Sequence, residues 1–420
     1  MDKNSKTVGI GIIGCGKRMA DFLETLKYLD NNHQCEILAI NDLNGDAIKK
    51  FKNSFGENVK VYASSDELVK DPNISWVFIG SYNKFHKEHI MCALKANKNV
   101  FCEKPLAINL EECIEIKKLL KSKKLHLVIG YVLRYSPHYL KIKELIDSGK
   151  IGKIVSLEFN ETIPPMHGAF FMTNWRRFVD KSGGFLIEKC CHDIDLANWL
   201  VNSIPRKVAS FGGLTTFRPE NSYILKKLEK ENLMRIRRKE KVPPHYTWNE
   251  DPFKTEKEIV DHQVAIIKYF NHVCATFHTN CTATIPERRM YITGTEGTIR
   301  ADLLVGKIEV KTLGEEKIEI ITQQPIKIER EQYLDSHGGG DRFLAESLRK
   351  TMTHGDDSPV PIDEAIKSAI SSFAIEQALR TSKTIMLENF WYKLGEIPKI
   401  SVKKAQKTDS LKDVKINKTI

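Results

Sequence analysis

The chain of 420 residues has no apolar run long enough to span a bilayer, so nothing in it points to a helical membrane protein. Its opening, MDKNSKTVGIGIIGCG, carries lysines but no long apolar stretch ending in a small-residue cleavage site. It reads as the start of a folded domain and not as a secretory signal. No CxxC pair stands at zinc spacing, and neither HExxH nor a dense Cys/His cluster occurs. No metal site is therefore expected, although HDID and HGGGD offer isolated ligand types. Nine cysteines, scattered through apolar segments around Cys15, Cys92 and Cys102, do not suit a disulfide framework. They imply a reducing, cytoplasmic setting. A nucleic-acid reader would show a basic face backed by a reader motif, and no such motif is present. The net charge of +11 gathers mainly in 226–241, with eight basic and three acidic residues, and in 401–420, with six lysines and two aspartates. The first is expected to be an exposed helix within an insertion, the second a loose tail. Neither nucleic acid nor membrane is expected as a partner.

A hydrophobic fraction of 41% over this length suits two domains. Strand-like runs at 8–13, 36–40, 76–79, 100–102 and 127–130 alternate with helix-like runs at 18–29, 45–55, 86–96 and 110–122. That rhythm predicts a parallel sheet covered on both faces, an α/β dinucleotide-binding domain over 1–130. Strand-like segments then dominate, at 154–161, 208–211, 259–269, 273–281, 288–292, 297–304, 307–313 and 317–322. They predict an α+β domain over 131–385, built on a large open, mainly antiparallel sheet. A helix opened by Gly183 and Gly184 is expected over 183–200, and further helices over 341–353 and 362–382. Residues 218–256 read as an insertion containing VPPHYTWNEDPF, and 386–420 as a carboxy-terminal extension.

Gly14-Cys15-Gly16 follows the first strand directly. A phosphate needs backbone N–H donors and no side chain in the way, and a glycine turn feeding a helix N-terminus gives both. Gly14, Cys15, Gly16, Lys17, Arg18 and Met19 are the candidate cradle. Met19 stands where a third glycine would complete GxGxxG. A second match at Gly9, Gly11 and Gly14 lies inside the strand and cannot form the turn. Asp42, 26 residues after Gly16, closes the second strand. A carboxylate there would bind ribose hydroxyls and repel a ribose phosphate, which favours NAD over NADP. Three further segments sit where strands end: SYNKFH at 81–86, FCEKPLA at 101–107 and GGFLIEKCCHDID at 183–195. They add Ser81, Asn83, His86, Glu103 and Lys104. Pro105 fixes the chain after Lys104, and a cis bond there would hold the lysine in place.

These motifs resemble those of the glucose–fructose oxidoreductase, inositol dehydrogenase and rhizopine-catabolism (Gfo/Idh/MocA) family. The resemblance rests on EKP at 103–105 and on Gly183, Gly184, Leu186, Glu188, His192 and Asp195 in one pattern. Arg134, GTEG at 294–297 and HGGGD at 337–341 support it. It implies a Rossmann domain followed by an open-sheet domain that joins subunits into a homodimer or homotetramer. It also implies that Lys104 touches the substrate hydroxyl and that His192 is the proton partner. Inositol-type members carry aspartate where Glu188 stands here.

The residues themselves are compatible with that chemistry. Histidine, with an ordinary pKa of about 6.5, can take a hydroxyl proton near neutrality. Lys104 can stabilise developing negative charge, or take the proton itself if desolvated. Glu188 and His192 are four apart and would share a helix face. Asp195 could hold the His192 ring or bind a hydroxyl. Cys190 and Cys191 read as core cysteines. Candidate substrate contacts are Lys104, Arg134, Tyr135, His167, Trp175, Arg176, Glu188, His192, Tyr246, Trp248 and His337, a mixture that suits a cyclitol, sugar or sugar acid. The expected function is NAD-dependent hydride transfer from a hydroxyl carbon. Two alternatives stay open: an enzyme that keeps its NAD through a transient sugar oxidation, and a non-catalytic NAD-binding regulator.

Overall fold

In Val8–Ile13 (β1) the last five residues are all buried, as a strand covered on both faces requires. In the computed structural model, which describes residues 7–238, 248, 250–322 and 337–396, it lies at the centre of a six-stranded parallel sheet. Its companions are Cys35–Asn41 (β2), Lys60–Val61 (β3), Trp76–Ile79 (β4), Asn99–Cys102 (β5) and Leu127–Ile129 (β6), in the order β3-β2-β1-β4-β5-β6. The order reverses at β1/β4, and helix Lys17–Leu29 starts beside that switch point. Gly9 lies within β1, where a Cβ would stand 2.1 Å from the Asn73 carbonyl, so its role is packing.

The second sheet has nine strands: Ile154–Thr162 (β7), Pro205–Gly213 (β8), His262–Tyr269 (β9), Cys274–Asn280 (β10), Arg289–Gly294 (β11), Gly297–Asp302 (β12), Lys307–Thr312 (β13), Glu319–Thr322 (β14) and Ile385–Met386 (β15). Their order is β14-β13-β12-β11-β7-β10-β9-β8-β15. Every pair is antiparallel except β7 with β10. Strict alternation of exposed and buried residues along β9 and β10 marks a sheet covered on one face only. Helices Cys191–Val201 and Ile362–Thr381 pack against it.

Two expectations are corrected. The run 183–200 is not one regular helix: Leu186–Cys190 forms a π turn and Cys191–Val201 an α-helix. The π turn is wider than an α turn, so the four-residue spacing of Glu188 and His192 does not stack them as on a regular α-helix. The expected extension begins with an ordered helix. Helix Glu388–Leu394 buries Trp391 completely and donates its indole N–H to the Pro205 carbonyl at 2.5 Å. The lysine-rich end, 397–420, lies outside the described residues.

The later helices return to the first domain. Gly340–His354 packs on Lys17–Leu29, and Ile362–Thr381 touches helix Leu110–Lys121 and β6. A buried ion pair fastens the late helix to the segment that follows β6. Arg134 donates through Nε and Nη2 to the two oxygens of Asp195, each at 2.7 Å, and Ser368 Oγ donates to Asp195 at 2.5 Å. Arg134→Met, which strands a buried carboxylate, is expected to cost on the order of 3 kcal/mol in urea unfolding. The double variant Arg134→Met/Asp195→Leu should recover most of that loss. Equal losses in both would contradict the pairing.

Candidate active site

The cradle is built at the end of β1. Gly14 has φ +93°, and a Cβ there would stand 2.5 Å from the Ser81 nitrogen, so only glycine fits. At Gly16 the nearest atom to such a Cβ is 4.0 Å away, leaving open space before the helix N-terminus. Backbone donors and that space fit a dinucleotide pyrophosphate. The Cys15 N–H donates to Asp42 Oδ2 at 2.7 Å, which fixes the half-buried carboxylate beside the turn. Burial, then Asp42, push the Cys15 thiol up to about 12, so it is inert. Met19 is buried, and a Cβ on Gly80 would stand 3.0 Å from its side chain. Gly80 is thus the small residue of the helix–strand contact, supplied from the strand side. The incomplete glycine motif is explained by that exchange. Lys17 pairs with Asp21 at 2.7 Å. Arg18 bridges Glu103 at 2.8 Å and Asp341 at 2.6 Å.

Lys104 and Pro105 are joined by a cis bond. The Lys104 ammonium donates to the main-chain carbonyl of Glu188 on the π turn. The Glu188 carboxylate is buried; it accepts from Asn83 Nδ2 at 2.7 Å and from Arg176 Nε at 2.5 Å. Burial alone would raise its pKa, but Lys104 and Arg176 outweigh it and hold the group at about 2. Asn83 also donates to the Ser182 carbonyl at 2.9 Å. The Arg176 guanidinium lies 4.4 Å from the Trp175 ring and 5.3 Å from the Phe170 ring. Trp175 stacks on Tyr82 at 4.4 Å. Tyr82 was not anticipated, although it lies inside the SYNKFH segment. His86 is buried between the Pro105 carbonyl at 2.6 Å and the Ser81 carbonyl at 3.1 Å, tying two loops together. Ser81 Oγ meets His89 Nδ1 at 3.0 Å.

His192 is 5% exposed, and its Nδ1 is buried with no partner among the described residues. Burial first, then Lys104, His337 and Arg288, push its pKa well below the ordinary value. It is neutral at pH 7. The His337 ring lies 5.9 Å away, and His337 Nδ1 sits 2.8 Å from Asp341 Oδ2. Asp195 does not orient His192, because its two oxygens hold Arg134 and Ser368. Arg134 was expected at the substrate; the structure buries it in that ion pair instead. His167 lies tilted against Phe171 at 5.4 Å, Trp248 is half-buried against the core, and Tyr246 lies outside the described residues. Cys190 and Cys191 are buried and free.

Glu161, Cys190 and Asp193 place ligand-type atoms within 4.8 Å of one another. Cations already occupy this cluster: Lys189 lies 2.8 Å from Glu161, and Arg288 pairs with Asp193 at 2.7 Å and Glu161 at 3.1 Å. Burial and the neighbouring Glu161 raise Asp193 against the pull of Arg288, while Arg288 and Lys189 hold Glu161 low. The cluster is an ion-pair network beside the site.

Two family models match this chain. Residues 8–131 match the oxidoreductase family's NAD-binding Rossmann fold, and residues 143–387 match its carboxy-terminal alpha/beta domain. The chain belongs to the Gfo/Idh/MocA oxidoreductase family. Its first domain is an NAD-binding Rossmann domain, and NAD is its cofactor. It is 31% identical to inositol 2-dehydrogenase/D-chiro-inositol 3-dehydrogenase of Lactiplantibacillus plantarum, over 51% of this chain and 58% of that protein. It is 29% identical to myo-inositol 2-dehydrogenase of Thermotoga maritima, over 49% of this chain and 58% of that protein. The chain thus spans little more than half the length of these curated relatives. Levoglucosan dehydrogenase, solved with NADH and levoglucosan, shares the fold with a TM-score of 0.73 and 17% identity, over 91% of this chain and 100% of that one.

The low pKa of Glu188 makes stability depend on acid. Its contribution is complete above the ordinary carboxyl range and is lost as pH falls toward about 2. Denaturant titrations of the wild type and Glu188→Gln should differ most at neutral pH. The gap should narrow by on the order of 3 kcal/mol toward pH 2. A gap that does not change with pH would refute an ionised Glu188.

Proposed function

We propose that the chain is an NAD-dependent dehydrogenase acting on a hydroxyl carbon of a cyclitol, sugar or sugar derivative. What supports this is that Lys104 stands near enough to the buried His192 for its charge to act on it, and that Arg18, from the helix begun at the glycine turn, holds the neighbouring Glu103. Held at the Gly14–Gly16 turn and beside Asp42, NAD would supply the hydride acceptor. His192 accepts the hydroxyl proton, which its neutral state allows at pH 7. Lys104, anchored on the Glu188 carbonyl, stabilises the negative charge that develops on the oxygen. Glu188 keeps Asn83 and Arg176 in place, and the terminal amines of Arg176 and the rings of Tyr82 and Trp175 offer a polar and aromatic surface for a polyol. Asp42 at the cradle supports NAD over NADP, since a ribose phosphate would meet its charge. Arg18, committed to Glu103 and Asp341, is not available to offset that repulsion.

The open face of the nine-stranded sheet supports a homo-oligomer. Val155, Phe211, Val264, Ile266, Tyr291 and Ile320 are exposed there. Apolar side chains grouped on one sheet face mark an interface between copies of the chain.

The test is reduced-cofactor formation from NAD, and separately NADP, against a panel of inositols, aldoses, glycosides and sugar acids. NADH from one substrate group is expected, with Lys104→Met lower by at least about a hundredfold. Activity confined to NADP would refute the role given to Asp42. Full activity in Lys104→Met would refute the site.

A further inference from the structure

Two cations at the site share one carboxylate. Arg176 pairs directly with Glu188 at 2.5 Å, and Lys104 acts on the same carboxylate through its charge. The Lys104 ammonium rests on a neutral carbonyl and has no ion-pair partner of its own among the described residues. The other buried acids nearby are engaged elsewhere: Asp195 with Arg134, and Glu161 and Asp193 with Lys189 and Arg288. Around Glu188, two positive charges therefore meet one negative charge. The opposite excess, two carboxylates on Arg18, lies at the cradle end. A local excess of positive charge in a partly dry site favours an anionic ligand.

Arg176 is the cation placed to hold one. Its Nε is committed to Glu188, and its main-chain N–H donates to Asn174 Oδ1 at 2.9 Å. Its two terminal amines have no partner among the described residues, and its side chain is 25% exposed. The guanidinium carbon lies 4.4 Å from the centre of the Trp175 ring, and Trp175 stacks on Tyr82 of the first domain at 4.4 Å. The end of the insertion braces the same stretch. The Glu258 N–H donates to the Arg177 carbonyl at 2.9 Å, the Val179 N–H donates to Glu258 Oε2 at 2.7 Å, and Arg177 Nη1 donates to Glu250 Oε2 at 3.1 Å. A fixed guanidinium with its Nη1/Nη2 edge uncommitted takes a carboxylate through two parallel hydrogen bonds.

We propose that Arg176 holds a carboxylate of the substrate, so that the molecule oxidised here is a sugar acid or a carboxylated cyclitol. This rests on the dehydrogenase function proposed above and narrows it. Lys104 and Arg176 are both held on Glu188, one by its main-chain oxygen and one by its carboxylate. They stand a side chain's length apart, so one small ring reaches Lys104 with a hydroxyl and Arg176 with its acid. A carboxylate carries a single charge and matches the excess, whereas a phosphate monoester carries about 1.5 to 2. The acid also avoids Glu188, which takes the Nε side of the guanidinium and leaves the other edge. A neutral sugar offers Arg176 only hydroxyls and leaves the excess charge unmatched.

The test measures oxidation with NAD of glucuronate, galacturonate and gluconate beside glucose, galactose, myo-inositol and glucose 6-phosphate. For one acid, kcat/KM is expected at least about a hundredfold above that of its neutral parent, with the difference lying in KM. Arg176→Gln, checked for folding by circular dichroism, should reduce that preference by about tenfold to a hundredfold. Arg176→Lys, which keeps the charge without the fork, should fall between. A neutral sugar preferred over every acid overturns the carboxylate site and leaves the dehydrogenase function standing. A preference for glucose 6-phosphate overturns it too, and an acid preference that survives both variants overturns the role of Arg176. A second arm needs no turnover: the same acids and their parents are titrated by calorimetry into the NADH-loaded protein. Binding of an acid that Arg176→Gln weakens at least about tenfold is expected. Acids that bind no better than their parents overturn the site. A wild type that oxidises nothing in the panel refutes the proposed function, and the calorimetric arm still decides the carboxylate site.

Discussion

One buried carboxylate joins the two halves of this protein's site. Glu188 stands on a π turn of the second domain. It accepts from Asn83 of the first domain and from Arg176 of its own, while its main-chain carbonyl holds Lys104. A lone buried carboxylate would sooner take a proton than stay charged. Here two cations reverse that preference. The charge therefore acts as a fastener: it sets the lysine, the asparagine loop and the arginine relative to one another before any ligand arrives. Preorganisation of this kind is what makes electrostatic stabilisation effective in a dry cleft.

A second fastener runs beneath the first. Arg18 leaves the helix that begins at the glycine turn and bridges Glu103 and Asp341. Asp341 reaches His337, and His337 faces His192. The cradle, the EKP segment and the HGGGD segment are thus one connected polar network. Arg134 and Asp195, placed by sequence at the substrate and at His192, instead form the structural pin that lets the late helices return to the first domain. Bidentate geometry and burial make that pair a packing element.

Much of this was legible in the sequence because it is local. The glycine turn, Asp42 at the strand end and Lys104 before a proline each follow from neighbours a few residues away. Strand-like segments joined by short turns already pointed to a mainly antiparallel second sheet. What was not legible is tertiary. Periodicity does not separate a five-residue π turn from an α turn, so the stacking of Glu188 over His192 was misjudged. Gly80 substitutes for the missing third glycine from another strand, and no spacing rule reveals that. Arginine and aspartate types at Arg134 and Asp195 suit a polyol as well as they suit each other, and only packing decides. The parallel β7–β10 pair likewise depends on how distant strands meet.

The proposed function is hydride transfer from a hydroxyl carbon to NAD at this site. Uniformly carbon-deuterated inositols and aldoses test it directly, with the reduced cofactor weighed by mass spectrometry. The account predicts NADH one mass unit heavier, with the label drawn from the substrate and none exchanged with water. Reduced cofactor without the label would contradict direct transfer.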